Sequence, residues 1–226
     1  MNELYIYHHL GLGDHIICNA IVRNYSKSHD KIFLFVKHHN FESVSFMFRD
    51  LKNIEYLKIF NDNDVEQSIA NKSNVLRVGF HKLDVFNYKF DRSFYMGSNL
   101  DFTKRWTDFY IERDNYKEME LFKRFNVIEN EYVLIHDDAD RNYVINDITE
   151  VRNKNIPIIR PNRSLTNNIF DYCYLIENAK ELHCIDSTFK LIADSINIKS
   201  EQLFYHLNRK QDYNLYSSSR KNWTET

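Results

Sequence analysis

Runs of β-prone residues alternate with segments of helical spacing along almost the whole chain, and this alternation limits the chain more than any other feature. Residues 4–10 (LYIYHHL) read as a strand, and the loop GLGD follows. Residues 15–28 then carry Ile16, Ile17, Ala20, Ile21 and Tyr25 at the spacing of one helix face. Residues 31–37 (KIFLFVK) are a second strand of the fully buried type, 40–50 a helix, 54–60 (IEYLKIF) a third strand and 74–80 (NVLRVGF) a fourth. Between the last two, Asp64 and Gln67 have capping-box spacing and open a short helix. Strands and helices in this order predict a parallel sheet covered on both faces.

The pattern breaks over residues 81–115, which are irregular and aromatic, with Phe86, Phe94, Tyr95, Trp106 and Tyr110 among them. A second series follows: a helix over 116–127, strands at 131–136, 156–160, 181–185 and 202–206, and helices over 167–180 and 187–196. Two α/β domains, 1–115 and 116–226, fit this better than one sheet of nine or ten strands. The aromatic segment reads as core and lid, and the polar tail from 214 as loosely packed.

Composition narrows the function classes. With 43% hydrophobic residues, 17 Phe and 15 Tyr, the chain is no disordered polymer. Its 30 basic and 32 acidic side chains leave a net charge of −2, so no global positive field holds nucleic acid or an anionic membrane. An anionic ligand has to be bound locally. Cys18, Cys173 and Cys184 sit in apolar stretches without metal-ligand spacing and read as reduced core residues of a cytoplasmic protein. No stretch has the length of a signal or membrane-spanning segment. The reading is of a soluble protein, compatible with peripheral contact at a membrane.

Three strand ends carry the chemistry-bearing residues. The first is LGLGDH, residues 10–15, where two of the chain's 4 glycines, Gly11 and Gly13, let a ligand or a second backbone come close. Ile16 stands where a dinucleotide fingerprint needs its third glycine, and Lys37 ends the second strand in place of an acid. Asp14 is either the cap of the following helix or a carboxylate presented to a ligand. The second is CIDSTFK, residues 184–190. There Asp186 ends a strand, and Ser187, Thr188 and Lys190 open a helix whose free N–H groups suit a phosphate. Asp186 or Ser187 as a plain helix cap is the other reading. The third is LIHDDADR, residues 134–141, with His136 and Arg141 able to reach a ligand, and Arg160 ends the neighbouring strand. Its three aspartates have the composition of a metal cluster, but the loop fixes no ligand geometry.

With these residues in this order, the chain resembles the heptosyltransferase-like glycosyltransferases, which include the ADP-heptose:lipopolysaccharide heptosyltransferases. In that family an early G-D-hydrophobic-hydrophobic stretch leads into N/P-A-hydrophobic-R. Here it reads Gly13-Asp-His-Ile-Ile-Cys-Asn-Ala-Ile-Val-Arg23. The late D-[ST]-G-x-x-H-x-A reads Asp186-Ser-Thr-Phe-Lys-Leu-Ile-Ala193, with Thr188 and Leu191 departing from the pattern. The resemblance implies a GT-B fold, two Rossmann-like domains facing across a cleft, in a minimal-length version. It implies inverting transfer of a sugar from a nucleotide-diphosphate sugar to a hydroxyl acceptor, such as a glycan, with no essential metal or other cofactor. Asp14 matches the family's general base. Ser187, Thr188 and Lys190 would stabilise the leaving diphosphate, with His136 and Arg141 across the donor pocket and Asp186 orienting the loop or a donor hydroxyl. A non-catalytic nucleotide- or sugar-binding protein and a Rossmann-type oxidoreductase are the alternatives.

Overall fold

The computed structural model describes residues 2–79, 84, 87–146, 148, 155–162, 164–200, 202–207 and 212–226. Phe80, expected to close the fourth strand, and the aromatic Phe86 lie outside them. The chain divides into two compact units: Met1–Glu112 with Tyr213–Ser218, and Arg113–Asp212 with Ser219–Thr226.

The first unit is built on β1 (Glu3–Tyr7), β2 (Lys31–Lys37), β3 (Ile54–Ile59) and β4 (Val75–Arg77), in the order β3-β2-β1-β4. Every pairing is parallel, with Leu4 opposite Ile32 and Tyr5 opposite both Phe33 and Val75. Successive side chains alternate between faces. One face gathers Tyr5, Tyr7, Phe33 and Phe35 against Val65 and Ile69 of α4 (Asp62–Ile69). The other buries Leu4, Ile6, Ile32, Leu34 and Val36, and α2 (Asn19–Ser26) and α3 (Phe41–Met47) pack on β2.

Two local expectations are corrected here. The helix after GLGD starts earlier and comes in two pieces, α1 (Leu12–Ile17) and α2, because Cys18 leaves helical geometry at φ −82°, ψ 3°. The capping box of α4 is Asn61 with Asp64, not Asp64 with Gln67. Asn61 Oδ1 accepts from Asp64 N, and Asp64 Oδ2 accepts from Phe60 N and Asn61 N.

Part of the aromatic segment is core of this unit, while Tyr88 and Tyr110 are exposed. It contains α5 (Phe90–Gly97) and α6 (Lys104–Thr107), and Phe94 and Tyr95 are fully buried. Tyr95 donates to Ile17 O at 2.7 Å. Arg23 reaches Asp50 at 2.8 and 2.9 Å, Met47 O and Tyr110 O, and Asn19 exchanges two 3.1 Å hydrogen bonds with the Tyr110 backbone. Asn19 and Arg23 of the first motif therefore hold the unit together.

The second unit has β5 (Val133–His136), β6 (Ile158–Ile159), β7 (Glu181–Cys184), β8 (Gln202–Tyr205) and β9 (Thr224–Glu225), all parallel in the order β6-β5-β7-β8-β9. Val133, Ile135, Ile145, Ile148 and Ile185 cluster on one face. Among the described residues its helices are α7 (Asn115–Arg124), α8 (Cys173–Glu177) and α9 (Thr188–Ser195). The helix expected over 167–180 begins as a 3₁₀ turn, Ile169–Tyr172, because Asn168 caps Phe170 N and also binds Asp171. The tail is tied down, contrary to the expectation of loose packing. Its last residues pair with β8, and the indole of Trp223 donates to buried Asp194 at 3.0 Å. Among the described residues no helix is long and apolar enough to cross a membrane.

Candidate active site

In a parallel sheet, ligands are met beyond the carboxyl ends of the strands, and the singled-out residues sit at those ends in each unit. At the end of β1 the chain turns through His8, His9 and Leu10 into α1. Gly11 is the N-cap residue at φ −67°, ψ 150°, with no side-chain cap hydrogen bond. Asp14 is thus the third residue of the helix, not its cap, which corrects that reading. Its carboxylate folds back over the turn, half-buried, and a Cβ on Gly11 would stand 2.7 Å from Asp14 Oδ2. Gly13 is the second residue of α1. Asn40, following β2, donates to Leu10 O at 3.1 Å and fixes the turn from the side.

Beneath this turn lie two imidazoles to which the sequence gives no role. His8 is 1% and His15 0% exposed, with rings perpendicular at 4.4 Å. Burial pushes the His8 pKa down to about 4 and that of His15 well below its ordinary value. Both are neutral packing groups at pH 7. His9 rests over Gly79, which has φ +83° and whose Cβ would collide with His9 and Phe94 at 2.9 and 2.7 Å. Gly79 also escaped the sequence reading, although a rare glycine at a strand end was the available signal.

In the second unit, Ser187 is the N-cap of α9 at φ −149°, ψ 168°, and its side chain makes no cap hydrogen bond. The Ser187 Oγ is buried and has no partner. Thr188 is the first residue of the helix and half-buried, and Asp186 is buried just before it. His136 ends β5 and stacks on Phe189 of α9 at 4.1 Å, which brings the second and third of these strand ends, those of β7 and β5, together. Arg160 is bound to Asp137 and donates to Ile145 O at 2.9 Å. Arg141 is exposed and bound to Asp138.

Lys190 is placed differently from the other phosphate candidates. It is fully buried, 3.2 Å from the equally buried Asp194 and 4.6 Å from the centre of the Tyr205 ring. Asp194 Oδ1 also accepts from Arg220 N, Lys221 N and the Trp223 indole. The ammonium belongs to the network that ties the tail to α9. The i,i+4 spacing of Lys190 and Asp194 was the sequence signal for this pair. Among the described residues no three His, Cys, Asp or Glu side chains form a group able to hold a metal ion. Asp137 and Asp138 are each engaged by an arginine.

No protein-family model matches the chain, and no curated protein matches it. Its fold does match solved structures. A glycosyl transferase family 9 protein from Veillonella parvula superposes with a TM-score of 0.59 at 9% identity, over 100% of this chain and 86% of that one. TibC, described as a bacterial iron-containing dodecameric glycosyltransferase from enterotoxigenic E. coli, superposes at 0.54 with 13% identity, over 89% of this chain and 57% of that one. The fold is that of these glycosyltransferases. It is α/β with two Rossmann-like parallel sheets of four and five strands.

Proposed function

We propose that the chain is a glycosyltransferase that moves a sugar from a nucleotide-diphosphate sugar to a hydroxyl acceptor, with inversion and without an essential metal. The observation that carries this reading is the buried, unpartnered Ser187 hydroxyl at the uncapped N-terminus of α9. An orphaned donor there, at the positive end of the helix dipole, suits a diphosphate and gives it a charge-assisted hydrogen bond. Thr188 adds a second hydroxyl. Arg141 and Arg160 lie at this strand edge, each paired with an aspartate that a diphosphate would have to displace, and His136 and Asp186 border it. Lys190 pairs with Asp194 in the core and takes no part in holding the phosphates.

In the reaction, Asp14 takes the proton of the acceptor hydroxyl while that oxygen bonds to the anomeric carbon. The bond from the anomeric carbon to the diphosphate oxygen breaks at the same time, and the electron pair leaves with the nucleoside diphosphate. Attack opposite the leaving group inverts the centre. The negative charge growing on the diphosphate is stabilised by the dipole of α9 and the Ser187 hydroxyl. The fold of the two glycosyltransferases supports the reaction class. The free, buried cysteines suit a cytoplasmic setting.

Isothermal titration with nucleoside diphosphates in the presence of EDTA tests the donor site. Binding should survive the chelator, and Ser187→Ala should weaken it by about 1.5–3 kcal/mol, the worth of a hydrogen bond to a charged group. Equal affinity in Ser187→Ala, or binding that needs a divalent ion, counts against the reading.

A further inference from the structure

The carboxyl edge of the first sheet carries an exposed aromatic pair that the reaction above does not use. Phe60, the residue after β3, is 79% exposed, the most exposed large hydrophobic residue among those described. The exposed ring of His38, the residue after β2, stacks on it at 4.4 Å with 27° between planes. The backbone at Phe60 is held, because its own N–H and that of Asn61 both bind the Asp64 carboxylate at 2.9 and 3.0 Å. The stacked pair offers a flat aromatic face at the strand ends, where ligands of parallel sheets are met.

Its surroundings define the ligand. Lys37 is paired with Asp62 at 3.3 Å and Arg77 with Glu66 at 2.7 Å, so the basic residues ending β2 and β4 are already neutralised. The edge suits a neutral ligand with an apolar face and polar rim, and a sugar ring has that form. β2 lies between β1 and β3, so the ends of β1 and β3 are two strand spacings apart, about 10 Å. A disaccharide bridges such a distance.

We propose that the Phe60–His38 stack recognises the acceptor, a neutral glycan. The sugar next to the terminal one lies with its apolar face on Phe60 while the terminal sugar presents its hydroxyl to Asp14. This rests on the transferase reading. Asn40 supports the geometry by fixing the Asp14 turn to the loop that bears His38.

Saturation-transfer NMR with a panel of neutral gluco-, galacto- and manno-configured di- and trisaccharides tests the proposal, with nucleoside diphosphate titrations on the same samples. Wild type should saturate the C–H protons of the sugar next to the terminal one. Phe60→Ala should weaken that binding about tenfold, the upper range of an aromatic stacking contact, and Phe60→Trp should retain it. The exposed position makes both variants safe for folding, and nucleotide affinity should be the same in all three. A wild-type chain that binds a nucleoside diphosphate but no member of the panel, or a Phe60→Ala chain that binds the panel as wild type does, overturns the platform and leaves the transferase reading standing. Oligosaccharide binding lost in Phe60→Ala from a chain that binds no nucleoside diphosphate supports the platform and removes the transferase reading.

Discussion

The Asp14 carboxylate occupies the space that a side chain on Gly11 would need, with Oδ2 only 2.7 Å from the would-be Cβ. The glycine is required by the neighbouring acid and not by its own backbone, whose φ of −67° any residue adopts. Gly11→Ala should therefore separate stability from chemistry. The folded chain should be unchanged or up to about 1 kcal/mol more stable, since alanine reduces unfolded-state entropy. Hydrolysis of the donor, the readout available without an acceptor, should fall as it does in Asp14→Asn, by about 10²–10⁴-fold for loss of a positioned base. Full hydrolysis in both variants would remove Asp14 from the mechanism.

Gly79 should behave in the opposite way. At φ +83° and with Phe94 and His9 closing on it, Gly79→Ala combines backbone strain with a clash. Urea denaturation should show a loss of at least about 1 kcal/mol. A wild-type midpoint would mean that the loop relaxes freely.

Lys190 and Ser187 should give crossed results. Lys190→Met leaves Asp194 buried beside an apolar side chain, and removing one partner of a buried pair costs about 3–5 kcal/mol. Its thermal midpoint should fall steeply, while nucleotide affinity below that midpoint stays near wild type. Ser187→Ala should keep the midpoint, because the hydroxyl has no partner to lose. A Lys190→Met chain with wild-type stability and lost nucleotide affinity would return the ammonium to the phosphate.

The buried imidazoles set a pH dependence. The folded-state pKa of His8 is about 4, below the ordinary 6.5, so between these values the unfolded chain binds a proton that the native chain refuses. Stability is full above about pH 6.5 and is lost on acidification towards pH 4, by about 1.4 kcal/mol per pH unit for each such group. His15 acts in the same direction. The urea midpoint should drop between pH 7 and pH 5, and His15→Leu should flatten the drop. An equal slope in wild type and His15→Leu would show that this imidazole takes up its proton equally in the folded and unfolded chain, and its burial would then carry no pH dependence.

The amino-acid sequence by itself determined the two series of strands and the placing of Asp14 and Ser187 at strand ends. Periodicity and local turn chemistry are short-range, and β2 spans the predicted residues 31–37 because every side chain from Ile32 to Val36 is apolar and buried. Side-chain partnership at a distance was left to the tertiary structure. Asn19 and Arg23 meet Tyr110, which is 91 and 87 residues away, and the tail becomes a strand because Asp194 and β8 receive it. The same holds for Lys190, whose charge reads as a ligand contact in one dimension. Whether an ammonium faces a ligand or a carboxylate depends on which side of the helix the core covers, and burial beside Asp194 decided it.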